Sequence, residues 1–239
     1  MNPSLSELFA AAEATWPAAR CWQDHGFTLR DGQGGGQRVS AATADGPVTA
    51  AQIDAAEGAM REMGQTPLFR LLGDAPDLDE ALVARGYIAK DPTTVYVLPI
   101  EQLTDKDIPP VTAFSIWEPL AIMNEVWETD GVGQARRDVM ARAACKTAVL
   151  SRWNEKPGGV AFAAVHGKIC MVHAVVVLAH QRRQGVAQWM MRRAAFWGQA
   201  QGATHMAVLC VDDNESANAL YRALGFAAMG GYHYRKHPD

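Results

Sequence analysis

The chain has few cysteines, no long apolar run and no excess of positive charge, and each shortage closes off a class of function. Its four cysteines, Cys21, Cys145, Cys170 and Cys210, stand far apart and form no CxxC pair. Such spacing builds neither a disulfide framework nor a cysteine metal cluster. Cys170 and Cys210 lie inside apolar, strand-like runs, so the set reads as small buried hydrophobes in a reducing compartment. No apolar stretch approaches the roughly 20 residues of a spanning helix. The opening MNPSLSELFAAAEATWP has neither a basic start nor a long apolar core, so no secretion signal is expected. A cytoplasmic chain with no membrane partner is the expectation. The net charge of −4 gives no general attraction to nucleic acid, and any anion site must be built locally against the average field. No two histidines lie four apart on a helix-like segment, so no metal is expected.

What is present is an ordinary globular composition, 49% apolar and 20% charged, over 239 residues, enough for one large domain or two small ones. The polar, proline-containing stretch EQLTDKDIPP divides the chain into residues 1–100, a linker at 101–110, and residues 111–239. The third segment reads clearly. VTAFSIW is a strand; Leu120–Trp127 and Gln134–Cys145 are helices; KTAVLSRW, GVAFAAVHG and KICMVHAVVVL are strands. From Val186 the period changes: Ala187, Met190, Met191, Ala194 and Gly198 make a helical stripe with Gln188, Arg192 and Gln199 opposite. HMAVLCV is then a strand covered on both faces. A helix follows from about Glu215 to Leu224, with Gly225 at its end, and YHYRK is a candidate last strand. This order is that of an α/β domain with a mixed sheet and at least one parallel strand pair.

The first part looks like a worn copy. IDAAEGAMREMG, TPLFRLL, LDEALVARGY and TTVYVLP repeat the order helix, strand, helix, strand, and ARGY answers ALGF near the helix end. In this alignment Ala44 and Pro47 fall opposite Arg182 and Gly185, and Leu82 falls opposite Tyr221, so the copy has lost the polar residues. DGQGGGQR lacks the Lys-Ser/Thr of a phosphate loop and reads as a flexible hairpin turn.

Chemistry concentrates in HQRRQGVAQWMM. A helix start leaves its first N–H groups without partners at the positive end of the dipole. Gly185 lets backbone approach an anion, Ala187 keeps the first turn thin, and Arg182 and Arg183 can add charge-assisted bonds. The other reading is a solvated basic turn. The pattern Arg182-x-x-Gly185-x-Ala187 resembles the acyl-CoA pyrophosphate loop of the GNAT superfamily of N-acetyltransferases, and NESANALYRALGF resembles that family's next signature. The match covers roughly residues 110–239, and the first hundred residues resemble the degenerate half of tandem GNAT proteins.

The resemblance implies a GNAT fold, acetyl-CoA as co-substrate, and pantetheine pairing with the fourth-strand backbone at Val175, Val176 and Val177. It assigns the diphosphate to Arg182, Arg183, Gln184, Gly185, Val186 and Ala187, a pantetheine contact to Asn214, and the general acid to Tyr221. Asn214 can equally be a plain helix cap, and Tyr221 a packing aromatic. His173 is the candidate base; strand alternation would set it on one face with Val175 and Val177. Many members carry a glutamate about here, and a packed core histidine or a water chain are the other readings. Glu125, Glu128 and Asp130 could attract a cationic amine or simply face water. His166, His180, His205 and His233 carry less, although His233 could help line an acceptor site. The expected activity is acetyl transfer to a primary amine of an unidentified acceptor, small molecule or peptide, by direct attack in a ternary complex. The alternative is an inactive acyl-CoA-binding sensor or interaction protein. A monomer or homodimer is expected.

Overall fold

The computed structural model describes residues 2–73 and 75–238. In chain order the elements are α1 (Leu5–Thr15), β1 (Arg20–Asp24), β2 (Phe27–Asp31), β3 (Thr43–Ala44), α2 (Ala50–Glu62), β4 (Leu68–Leu72), α3 (Pro76–Ala84) and β5 (Ile88–Pro99). They continue with β6 (Ala113–Ile116), α4 (Ala121–Thr129), α5 (Gln134–Arg142), β7 (Cys145–Trp153), β8 (Lys156–His166), β9 (Ile169–Val177), α6 (Val186–Ala200), β10 (His205–Val211), α7 (Glu215–Ala223) and β11 (Ala227–Lys236). The helices and strands expected from residue 113 onward are all present. Two compact units interleave along the chain: one is Met1–Pro17, Val95–Cys210 and Glu215–Met229, the other Ala18–Thr94, Val211–Asn214 and Gly230–Asp239.

In the first unit the strands run in the order β5, β10, β9, β8, β7, β6. β9 and β10 are parallel, while β6 to β9 form antiparallel neighbours. Alternation along β8 sends Ala161 and Ala163 into the core built on α6, with Met190, Met191, Ala194 and Ala195 fully buried. Phe162, between them, points the other way and meets Trp16 at a ring distance of 6.0 Å. Gly198 is required by packing, since a Cβ there would come within 2.7 Å of Cys170.

One local expectation changes. Arg192 was assigned to the polar side of α6, yet it is only 5% exposed, bonding the Leu103 carbonyl at 3.2 Å and pairing with Asp105. Leu103 is buried, so the polar stretch covers α6 and supplies partners for Arg192 Nη1, while Nε has none among the described residues. Helix α1 lies in the first unit. Its signal was in the sequence: Ser4-x-x-Glu7 forms a capping box, with the Ser4 hydroxyl accepting from the Glu7 N–H and the Glu7 carboxylate accepting from the Ser4 N–H.

The second unit has a three-stranded sheet, β1-β2-β3, over a core of Phe27, Leu29, Ile53, Met60, Phe69, Leu71 and Leu82. Residues 32–42 join β2 to β3 through a 3-10 turn at Gln37–Val39. This connection is pinned by Gln65, which accepts from the Gly32 N–H at 2.8 Å and donates to the Arg30 carbonyl at 2.9 Å, so it is no free hairpin tip. The repeat read in the sequence is structural. β3, α2, β4 and α3 follow the order of β9, α6, β10 and α7, and Ala42 pairs in parallel with Phe69 as β9 does with β10. The carboxyl-terminal part of β11 pairs antiparallel with β4.

Asp79 of α3 receives Arg235 Nε at 2.7 Å, Arg235 Nη2 at 2.8 Å and His233 Nε2 at 3.0 Å, and Arg235 above all lowers its carboxyl pKa to about 2. A depressed carboxyl stabilises the fold above its unfolded pKa near 3.8 and loses that contribution as pH falls through about 2. Asp79→Asn should therefore cost about 1–2 kcal/mol at neutral pH, after discounting for partial exposure. In urea titrations the deficit should shrink progressively from pH 5 toward pH 2; an equal deficit at pH 6 and pH 2.5 would contradict the pairing.

Candidate active site

The site begins where two parallel strands part. The β9–β10 register runs from Ile169↔His205 to Val172↔Val208 and stops, although β9 continues to Val177 and β10 through Cys210. On its other edge β9 stays paired with β8, Val176 opposite Val160 and Val177 opposite Gly159. Gly159 permits this approach, because a Cβ there would lie 2.5 Å from the Val176 carbonyl oxygen. The result is a fork whose β9 edge, at Val175–Val177, is held from behind and left without strand partners on the β10 side among the described residues.

A bulge starts the fork. The β8–β9 register shifts between Val160 and Phe162, and Ala174 takes a positive φ of 48°. Its carbonyl accepts from Trp127 Nε1 at 2.9 Å, and the Trp127 side chain is fully buried. The extra residue breaks alternation. Val175 and Val177 pack toward the α6 core, whereas His173 turns to the opposite face, beside Phe162 and Trp16. The expectation that the three share one face is thus corrected. His173 is 5% exposed, and its Nε2 lies 2.9 Å from Thr15 Oγ1.

At the mouth of the fork, Ala179–Gln181 make a 3-10 turn, Arg183 has φ 63°, and Gly185 is a left-handed N-cap at φ 80° from which α6 starts. No side chain caps α6, and a Cβ on Gly185 would meet nothing nearer than 4.0 Å. The glycine is there for its backbone conformation, with open space above it. Gln184 bonds back to the His180 carbonyl at 3.1 Å, buried Gln181 reaches the Trp153 carbonyl at 3.4 Å, and Val186 is buried beneath the turn while Ala187 is half-buried. Arg182 and Arg183 are exposed, with Arg182 Nε donating to the Val177 carbonyl at 3.2 Å. Uncapped N–H groups, a glycine and two exposed cations are what an anion needs. The copy differs here. The start of α2 is closed by Thr49 and Gln52, which form a capping box and occupy the donors α6 leaves open.

Tyr221 and Asn218 share one face of α7, and both are buried. Tyr96 Oη donates to Asn218 Oδ1 at 2.9 Å, and Tyr221 packs against Tyr96 and Phe226 with ring centroids 6.0 and 5.7 Å away. Among the described residues Tyr221 Oη has no protein hydrogen-bond partner, and burial pushes its pKa up, so it is a phenol at any working pH. Asn214, just before α7, belongs to the second compact unit, where its N–H donates to the Val211 carbonyl at 3.0 Å.

The lesser candidates separate. Glu128 is paired with Arg137, while Glu125 and Asp130 face solvent. His166 and His180 are exposed, His205 Nδ1 bonds Thr204 Oγ1, and His233 lies in the second unit on Asp79. All four cysteines are free thiols, and burial pushes the Cys170 thiol pKa up, as suits an inert core residue. Among the described residues no cluster of three potential ligands could hold a metal, and no helix is long and apolar enough to cross a membrane. A depression of about 550 Å³ near Thr112 and Asn154 contains none of the site residues. Sequence reasoning missed Thr15, Trp16, Tyr96, Trp127 and Asn218. Each acts through a partner distant in the chain, which local pattern does not reveal.

Residues 116–226 match the family model described as the acetyltransferase (GNAT) family. No functionally curated protein matches the sequence. Among solved structures, a GCN5-related N-acetyltransferase from Kribbella flavida superposes on 100% of this chain and 97% of its own, with TM-score 0.74 and 19% identity. A conserved protein of unknown function from Staphylococcus epidermidis gives TM-score 0.71 at 13% identity, covering 94% of this chain and 96% of its own. A tandem GNAT protein from the clavulanic acid biosynthesis pathway gives TM-score 0.59 at 14% identity over 88% of this chain and 77% of that one. At such identities these likenesses speak for fold alone. Residues 116–226 therefore match the acetyltransferase (GNAT) family, and the chain takes the GNAT fold along its length, the N-terminal half included.

Proposed function

We propose that the chain moves an acetyl group from acetyl-CoA to a primary amine, with residues 111–239 carrying the chemistry, 101–110 linking, and 1–100 contributing a GNAT-like copy without a cofactor loop. The observation that carries this reading is the fork between β9 and β10, opening beside the uncapped start of α6. The diphosphate would take the N–H groups of Gly185, Val186 and Ala187 with Gln184, Arg182 and Arg183 around it, and the pantetheine arm would pair with Val175–Val177.

The neutral amine attacks the thioester carbonyl carbon, the new C–N bond forms, and the C–S bond breaks. Tyr221 gives its proton to the departing thiolate, and His173 or a water chain takes the proton from the ammonium nitrogen. Most of the acceleration would come from holding amine and thioester together and from backbone N–H groups polarising the carbonyl.

The deciding measurement is CoA thiol release from acetyl-CoA against a panel of arylalkylamines, polyamines, amino acids and short peptides, with a no-amine control. Amine-dependent release is expected. Tight acetyl-CoA binding without release on any amine would instead favour a sensor, a reading that the burial of both His173 and Tyr221 keeps in view.

A further inference from the structure

At the fork β9 carries one residue more than β8. Phe162 faces His173 and Val160 faces Val176, so Ala161 stands against both Ala174 and Val175. The surplus residue, Ala174, sits at φ 48°, a left-handed conformation that its Cβ disfavours. It has two effects. It bends β9 just past Val172↔Val208, the last pair with β10, and it resets the alternation so that Val175 and Val177 face the α6 core. The edge assigned to pantetheine therefore exists only while the bulge stands.

The bulge has two costs, the strained φ and a displaced carbonyl that needs a donor. Trp127 Nε1, in the same compact unit, answers the second at 2.9 Å. An indole N–H only donates, and the helix aims this one. Met123, Val126 and Trp127 form the buried face of α4, with the Trp127 side chain fully enclosed. The Trp127 carbonyl also closes the end of α4, accepting from the Asp130 N–H at 3.1 Å and the Val132 N–H at 2.9 Å.

We infer that Trp127 is a positioning residue for the acyl donor: its indole N–H locks the β9 bulge and keeps the Val175–Val177 edge open for the pantetheine arm before any ligand arrives. This rests on the reading of the fork as an acyl-CoA site. The lock acts on the pantetheine edge and not at the diphosphate, so its loss should be felt by acetyl-CoA and acetyl-pantetheine alike. That separates it from Arg182 and Arg183.

The test is binding of acetyl-CoA and of acetyl-pantetheine to the wild type, Trp127→Phe, Ala174→Gly and the double variant, beside NMR of the indole N–H groups in the ligand-free wild type. Trp127→Phe should weaken both ligands about tenfold, the scale of one buried hydrogen bond. Ala174→Gly removes the Cβ that opposes the positive φ, so joined to Trp127→Phe it should return both affinities to within about threefold of wild type. In the wild type the Trp127 N–H should be protected from exchange without ligand and stay so with it. Unchanged affinities in Trp127→Phe would overturn the inference and leave the acyl-CoA reading intact. So would a double variant as weak as Trp127→Phe alone, which would make the indole a filler of space. Should Trp127→Phe fail to fold, the wild-type spectrum decides: an indole N–H that is unprotected, or protected only once ligand binds, overturns the lock. A wild type that binds neither ligand would remove the acyl-CoA reading itself, and this inference with it.

Discussion

Tyr221→Phe should lower turnover by about a hundredfold or more while leaving acetyl-CoA affinity and thermal stability nearly unchanged. The stability half follows from packing. The ring fills a core position against Tyr96 and Phe226, and its hydroxyl makes no protein hydrogen bond among the described residues, so Phe keeps every contact. The catalytic half follows from proton matching. A free phenol titrates near 10 and a thiol near 8.5, a modest gap for transfer to a leaving thiolate. Burial pushes the Tyr221 phenol up, but the same surroundings push a thiol up too, as they do for Cys170 in this unit, so the gap does not simply widen. A corollary is that Tyr221 imposes no alkaline fall in rate below about pH 10. Steady-state kinetics beside calorimetric binding separate the outcomes: unchanged turnover would leave the hydroxyl without a role, and a matching loss of affinity would make it a binding group instead.

What local sequence could reveal depends on how local the physics is. The start of α6 was legible because its components are adjacent: a glycine at positive φ, a thin alanine turn and two arginines, all within RRQGVA. The end of α7 was legible for the same reason, with Gly225 at φ 91° and the Phe226 N–H returning to the Tyr221 carbonyl. The bulge at Ala174 was not. Nothing in HAVVV marks it, since alanine is a poor resident of left-handed backbone. The conformation stands because β8 shifts register and the Trp127 indole, arriving from α4, satisfies the displaced carbonyl. Reading through it by strict alternation put His173 on the wrong face. Arg192 failed in the same way: a helical wheel knows its own helix but not Asp105. That the N-terminal copy lacks the arginines of RRQGVA was visible in the sequence. The physical closure of its helix by Thr49 and Gln52 was present in the sequence as a cap signal, yet it gains meaning only beside the open end of α6.

Replacing both Arg182 and Arg183 with alanine should weaken acetyl-CoA binding about a hundredfold at low ionic strength, with little change in the binding of an acetylated pantetheine lacking the diphosphate. Charge-assisted hydrogen bonds are worth roughly 1.5–3 kcal/mol each when shielded, and both side chains are exposed, so about tenfold apiece is the reasonable scale. In the ligand-free chain Arg182 spends its Nε on the Val177 carbonyl, which sits on the fork edge assigned to pantetheine. Binding would have to exchange that contact for the diphosphate, so part of the attraction is offset, and Arg183 should contribute the larger share of the loss when each is replaced alone. The chain carries a net charge of −4, so no surrounding field substitutes for the missing pair. Wild-type affinity should fall steeply with added salt and the double variant's should be nearly flat. Equal weakening of acetyl-CoA and acetyl-pantetheine would mean that the arginines hold the loop's shape, whereas no weakening of either would return RRQG to a solvated turn and shift the anion site to the bare helix N-terminus.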